Sequence, residues 1–203
     1  MKVLELYCGT KSFSKASEER GHQTFTVDNN AIFKPDLAKD VLLLSKKDIP
    51  FVPDVIWASP PCIDYSHAKR KGVSFIELSN MLVIKSISLI LSFNPKYWII
   101  ENPQTGTLKH QYFMSELPFT DVSFCRYGMT YRKQTRLWNN FDYSGMVCEG
   151  NCDNFINGKH LDSVGNGRSQ YTTISLNKVS KGSLPKLLCE DLIKAIENKE
   201  TEK

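Results

Sequence analysis

Two stretches of this 203-residue chain carry side chains that could react together. The first is Ser59-Pro60-Pro61-Cys62, followed by the cations His67, Lys69, Arg70 and Lys71. Consecutive prolines fix φ and remove two backbone donors, so the thiol is expected on a stiff loop. A thiolate is a strong nucleophile, and neighbouring cations lower a thiol's pKa. The second stretch ends the apolar run Tyr97-Trp98-Ile99-Ile100 with Glu101, 39 positions after Cys62, and continues Asn102-Pro103. A carboxylate there is expected to be partly desolvated, which favours its protonated form. A protonated carboxyl beside a nucleophilic thiol suits attack on an electron-poor heterocycle that must gain a proton elsewhere on its ring. The plainer readings are a buried packing cysteine and a turn-capping carboxylate.

Two further groups invite ligands. Gly9 follows the apolar run Val3–Leu6 by three residues, and Asp28 ends a second run 19 positions later. A glycine turn admits close approach to the backbone, and an acid about twenty residues on can bond a ribose hydroxyl pair. That spacing alone also fits an ordinary strand-to-helix turn, because a full G-x-G-x-x-G is missing. Cys148, Cys152 and His160 have the spacing C-x3-C-x7-H, and Cys125 could complete a tetrahedral Cys3His zinc set. The alternative is a group of unconnected packing residues.

These residues need a scaffold, and the pattern of elements supplies one. Strands are expected at 2–7, 22–28, 53–59 and 96–102, with helices at 12–20 and 75–93 between them. A short element is expected within 36–44, a short helix at 107–116, late strands at 120–128 and 135–141, and a closing helix at 186–198. Strands alternating with helices imply an α/β fold, a mostly parallel sheet with helices on both faces. Ligands then sit beyond the carboxyl ends of the strands, where Cys8, Gly9, Asp28, Cys62 and Glu101 all fall. Residues 143–172, rich in Gly, Asn, Asp and Ser, read as an irregular excursion from one domain spanning 1–203. A net charge of +4, with 41% apolar and 24% charged residues, fits a globular chain and leaves room for a local basic patch. The run from Phe75 to Phe93 is broken by Glu77, Asn80 and Lys85, so no membrane span or membrane partner is expected. Six cysteines in such a chain are expected to be reduced, catalytic or metal-bound.

Taken together, the stretches "LELYCGT", "VDNN", "KDV", "SPPCIDYS", "IIENPQTG", "FCRYGMTYRKQTRLW" and "KGSLPKLLCEDLIKAI" resemble, in order, the C5-cytosine DNA methyltransferase family. The resemblance runs from residue 4 to residue 196 and is most specific in Pro-Pro-Cys followed by Glu-Asn-Pro. It implies a Rossmann-like, class I S-adenosylmethionine-dependent methyltransferase fold. It also implies a covalent bond from Cys62 to cytosine C6, with Glu101 at the N3 edge. By the same resemblance, Tyr7, Cys8 and Gly9 lie beside the methionine part of S-adenosylmethionine, Asp28 and Asn29 at the ribose, Asp40 at the adenine amine, and Pro60 under the cofactor. The cations His67, Lys69, Arg70, Lys71 and Arg132 would meet DNA phosphates, and the target cytosine of a duplex would flip out of the stack.

The family's Gln-x-Arg-x-Arg motif is blurred. An ungapped match sets Tyr131, Lys133 and Thr135 against it, whereas a one-residue shift brings Arg136 into the last place. Arg136 is the expected contact to the cytosine O2, with Arg132 second. Thr10 and Lys11 replace glycines of the first turn. Only about 45 residues separate Trp138 from Lys186, too few for the target-recognition domain of bacterial members. Relaxed specificity or a specificity partner protein is the expected consequence, since base-edge contacts carry sequence information. Compact chains of this kind resemble those of phages and large viruses, and similar relatives carry Cys and His positions that support zinc. The expected location is the cytoplasm of a bacterium or phage-infected host, or the nucleus for a eukaryotic virus. The same chemistry on RNA or a nucleotide, and a non-catalytic cofactor-fold protein, are the competing readings.

Overall fold

The computed structural model describes residues 1–66, 75–162 and 183–201. Seven strands form one sheet in the order β3-β2-β1-β4-β5-β7-β6. They are β1 (Lys2–Leu6), β2 (Gln23–Asp28), β3 (Leu37–Ala38), β4 (Val55–Ala58), β5 (Tyr97–Pro103), β6 (Phe119–Ser123) and β7 (Gln134–Asn139). β1 to β5 pair in parallel, and β7 runs antiparallel between β5 and β6. The inner strands are continuous apolar runs because both faces are covered. All four residues of β4 are buried, as are Val3 to Leu6 of β1.

Helices α1 (Ser12–Glu18) and α3 (Lys186–Thr201) cover one face. Phe13 stacks on Trp57 at 4.6 Å, and Leu188, Leu192, Ile193 and Ile196 pack beside Val55 and Ile99. Helix α2 (Ile76–Phe93) covers the other face through Val83, Leu89, Ile90 and Phe93, against Leu4, Ile56 and Ile100. Burying each such side chain stabilises the fold by roughly 1.5–3 kcal/mol. By length and composition α2 could cross a membrane, yet this core-facing stripe is committed to the sheet. Asn94, left-handed at φ 52°, closes the helix by donating to Ile90 O, and Pro95 prevents its continuation.

The start of α1 is held from inside the core. Lys11 offers no side-chain cap, and Glu5 Oε2 on β1 accepts the Ser14 N–H at 2.8 Å instead. Burial pushes the Glu5 carboxyl up to about 7, against the pull of those helix donors.

Three expectations need correction. Residues 107–116 form a 3-10 turn over Thr107–His110 followed by turns, because Leu108 and Met114 are both anchored in the core at a spacing of six, off the helical period. The strand expected at 120–128 stops at Ser123, where Phe124–Tyr127 closes into a 3-10 turn ending at Gly128, φ 89°. The excursion at 143–172 contains a hairpin of β8 (Phe155–Ile156) and β9 (Lys159–His160).

Candidate active site

Strand order reverses between β1 and β4, and the crevice outside their carboxyl ends is where such sheets bind ligands. The turn after β1 is tightly wound: Tyr7, Gly9 and Lys11 all have positive φ, at 57°, 45° and 58°. A Cβ on Gly9 would meet no atom within 4 Å, so the space over the turn is open. The Tyr7 ring leans away onto α2, its hydroxyl donating to Leu82 O at 3.0 Å and meeting Ser86 Oγ at 3.1 Å. Burial pushes the Cys8 thiol up to about 12, with Glu5 and Asp28 adding to the effect.

Asp28 braces this turn. Its two carboxylate oxygens accept the Gly9 N–H at 2.9 Å and the Asn30 N–H at 2.8 Å. Each oxygen keeps a second lone pair, so a diol could still be received. Asn29 beside it is exposed. Asp40 caps the turn Val41–Leu43 by accepting the Leu42 N–H at 2.9 Å. This donor set, with an open glycine turn and two acids along one crevice, fits a nucleoside-bearing cofactor.

The loop after β4 is anchored at several points. Asn102 at the end of β5 donates Nδ2–H to Pro60 O at 2.9 Å, while its Oδ1 finds no partner among the described residues. A Cβ on Gly106 would stand 3.2 Å from both Pro103 O and Tyr65 O, a tight fit that glycine relieves where these segments approach. Tyr65 is buried and donates to Asn80 on α2 at 2.8 Å. Asp64 accepts the Ser79 hydroxyl at 2.8 Å, tying the same loop to the start of α2. His67, Lys69, Arg70 and Lys71 lie outside the described residues.

Among the six cysteines Cys62 alone is exposed. Its sulfur is nonetheless crowded enough that desolvation is the first influence on the thiol, raising its pKa; Glu101 raises it further and Lys133 lowers it. The sequence led to the expectation of a thiol lowered by cations; the structure gives a raised one. Glu101 is buried on β5, and Lys133 Nζ lies 3.5 Å from its Oε1. Thiol, carboxylate and ammonium thus share one neighbourhood at the ends of β4 and β5.

Arg136 does not join them. In the antiparallel ladder Asn102 faces Arg136 and Glu101 faces Leu137, so Arg136 projects from the opposite side of the sheet to Glu101. There it grips Asp121 through Nε at 2.7 Å and Nη2 at 2.8 Å and stacks on Phe119 at 3.5 Å. Lys133 shares Glu101's side, which the ungapped match of the motif had indicated; shifting by one residue exchanged the faces. Arg132 is exposed on the preceding loop.

Cys125, Cys148, Cys152 and His160 come together, one ligand atom from each lying within 4.8 Å of the others. His160 Nε2 is 3.5 Å from Cys148 Sγ and 3.4 Å from Cys152 Sγ. Bonds of about 2.3 and 2.1 Å in a tetrahedron put sulfur and nitrogen about 3.6 Å apart, so the set fits zinc. Burial raises the Cys148 thiol, yet the Gly150 and Asn151 N–H groups and His160 outweigh it and bring the thiol below its ordinary range. Burial and the two neighbouring thiols push Cys125 upward.

This architecture, a largely parallel sheet with its crevice at the β1–β4 reversal, is a Rossmann-like methyltransferase fold. It overlays S. pombe Dnmt2 methyltransferase with a TM-score of 0.52 at 16% identity, covering 71% of this chain and 52% of that one. Spodoptera frugiperda DNMT2 gives 0.51 at 16% identity, covering 72% and 55%. The chain therefore spans about half the length of the solved structures it matches. The sequence profile described as "C-5 cytosine-specific DNA methylase" matches residues 1–143. A Frog virus 3 protein described as "Probable DNA (cytosine-5)-methyltransferase" is 31% identical, over 92% of each chain. The chain belongs to the C-5 cytosine-specific DNA methylase family.

Proposed function

We propose that this chain transfers a methyl group from S-adenosylmethionine to C5 of cytosine in DNA, with Cys62 bonding transiently to C6. The observation that carries this reading is the exposed Cys62 thiol sharing its surroundings with buried Glu101 and with Lys133 at the mouth of the crevice. Addition of Cys62 Sγ to C6 moves an electron pair through the ring toward C5 and N3. The Glu101 carboxylate faces the N3 edge and the exocyclic amine, takes up the proton that the Cys62 thiol gives up, and passes it to N3 as negative charge builds there. Lys133 fixes the Glu101 carboxyl and favours the thiolate over the thiol, the part expected of an arginine. After methyl transfer, loss of the C5 proton to water expels Cys62 as the thiolate, and return of the N3 proton to Glu101 leaves the neutral aromatic base.

The cofactor, when bound, supplies an electrophilic methyl on a sulfonium. The turn of Tyr7, Cys8 and Gly9 would hold its methionine part, Asp28 and Asn29 the ribose, Asp40 the adenine amine, and Pro60 the floor. DNA phosphates would meet His67, Lys69, Arg70, Lys71 and Arg132 around a flipped-out cytosine of duplex DNA. A partner protein or a short target would supply specificity. A structural zinc held by Cys125, Cys148, Cys152 and His160 completes the reading.

The test is incubation with methyl-labelled S-adenosylmethionine and DNA, RNA or dCMP. Label in DNA, abolished by Cys62→Ser, is the expected result. DNA containing 5-fluorocytosine should trap the native chain covalently and spare the variant. Label confined to RNA, or none anywhere, would overturn the reading.

A further inference from the structure

The Cys3His cluster stands behind the segment that delivers Lys133, and the family match ends at residue 143, before three of its four ligands. We propose that metal bound there is a positioning element for the Lys133–Glu101 pair, so that losing the metal stops methyl transfer while cofactor binding persists. This inference rests on the catalytic and metal readings given above.

Lys133 is held by Phe124 twice over. The Phe124 N–H donates to Lys133 O at 3.0 Å, and the Lys133 ammonium lies 4.6 Å from the centre of the Phe124 ring. Phe124 immediately precedes Cys125, the first ligand. From the second ligand, the Cys148 N–H donates to Ser123 Oγ at 3.1 Å, while the Ser123 N–H donates to Met146 O at 2.9 Å. The far arm of the cluster grips the other half of the loop. Asn154 donates to Met129 O at 2.9 Å, the Asp162 N–H to Thr130 O at 3.1 Å, and Tyr131 bridges to Asp162. Residues 123–131 are therefore gripped on both sides by segments that the four ligands draw together.

Phe124, Tyr127 and Tyr131 anchor the inner side of this loop in the main core, but the outer side rests on the knuckle, which has little core of its own. The apolar cluster here consists of Cys125, Cys148 and Cys152 with Phe155 packed against them, and among the described residues no aliphatic side chain joins it. Metal–ligand bonds supply folding free energy where a core of this size cannot. Nor does the knuckle suit phosphate contact: over residues 148–160, Glu149 and Asp153 are exposed against Lys159 alone.

The test compares the full chain with zinc, stripped by chelator under reducing conditions, and reloaded with zinc alone. Four quantities are read: zinc per chain, S-adenosylmethionine affinity by calorimetry, single-turnover methylation of DNA, and hydrogen exchange of amides 124–133. Stripping is expected to leave affinity within about twofold and to lower the turnover rate about 100-fold, the scale of a 1 Å misplacement. Exchange over 124–133 should quicken, and zinc should restore both. His160→Cys keeps a four-sulfur site and should keep turnover, whereas His160→Ala should behave as stripped protein. An active loaded chain whose stripped form turns over equally fast, or loses cofactor affinity in parallel, overturns the inference alone. A loaded chain that binds zinc but methylates nothing overturns the catalytic reading beneath it, and a chain that binds no zinc overturns the metal reading.

Discussion

Replacing Lys133 with methionine removes the ammonium 3.5 Å from Glu101 Oε1 and keeps the stem; the two side chains are only 14% and 8% exposed. At that separation, with an effective dielectric of about 20, Coulomb's law gives about 5 kcal/mol. Desolvation of the two ions takes back a large share, and breaking such a pair from one side costs about 3 kcal/mol, because a covered charge is left alone. Loss of the contact with the Phe124 ring adds about 1 kcal/mol. Urea unfolding of Lys133→Met should thus show a loss of about 3–4 kcal/mol. Combining it with Glu101→Gln should recover part of this, giving a coupling energy of about 2–3 kcal/mol. Arg136→Met is the control. It breaks a partly exposed pair with Asp121 on the opposite side of the sheet, so it should cost about 1 kcal/mol and couple to Glu101→Gln by less than about 0.5 kcal/mol. Since Lys133 lowers the Cys62 thiol, its removal should also move covalent trapping by 5-fluorocytosine DNA to higher pH. Additive behaviour of Lys133 and Glu101, or coupling of Glu101 to Arg136, would refute the strand-face reasoning.

Glu5 should make stability depend on pH. Its folded-state pKa, about 7, lies above its ordinary 4.5, so the folded chain holds that proton more tightly. The resulting stabilisation is full below 4.5 and is lost as pH rises through about 7, a change of about 3 kcal/mol. Urea midpoints measured across that window should flatten in Glu5→Gln. Asn102→Asp sets a second acceptor against Pro60 O in a buried site and should destabilise by about 3 kcal/mol, more than Asn102→Ala at about 1–2 kcal/mol. Both changes should slow methylation more than they weaken cofactor binding, as a titration beside a turnover assay would reveal.

Where both faces of a strand are buried, composition alone placed it. The runs that became β1, β4 and β5 were legible, as were α2 and α3 within a few residues. The Thr107 segment was misjudged because two core anchors, Leu108 and Met114, outweighed helical propensity. The late strand was overextended because its end is dictated by a distant partner: the chain turns at Phe124 to bring Cys125 to Cys148. That Cys62 and Glu101 come near one another could be read from their places at the ends of two strands. Arg136 was misdirected because motif alignment tolerates a shift of one residue and a strand does not. Asn102 carried no separate signal beyond its place next to Glu101, since its role is a hydrogen bond across 42 residues.

Helix α2 receives both halves of the crevice: Asp64 clasps it at Ser79, and Tyr7 clips it at Leu82 and Ser86. One rod thereby serves as a common datum for the sulfur's hook and the glycine turn opposite. When thermal sway tilts the rod, hook and turn ride together, so the gap between them is insulated from the motion. Such common-mode rejection keeps the two loops in step through one shared support.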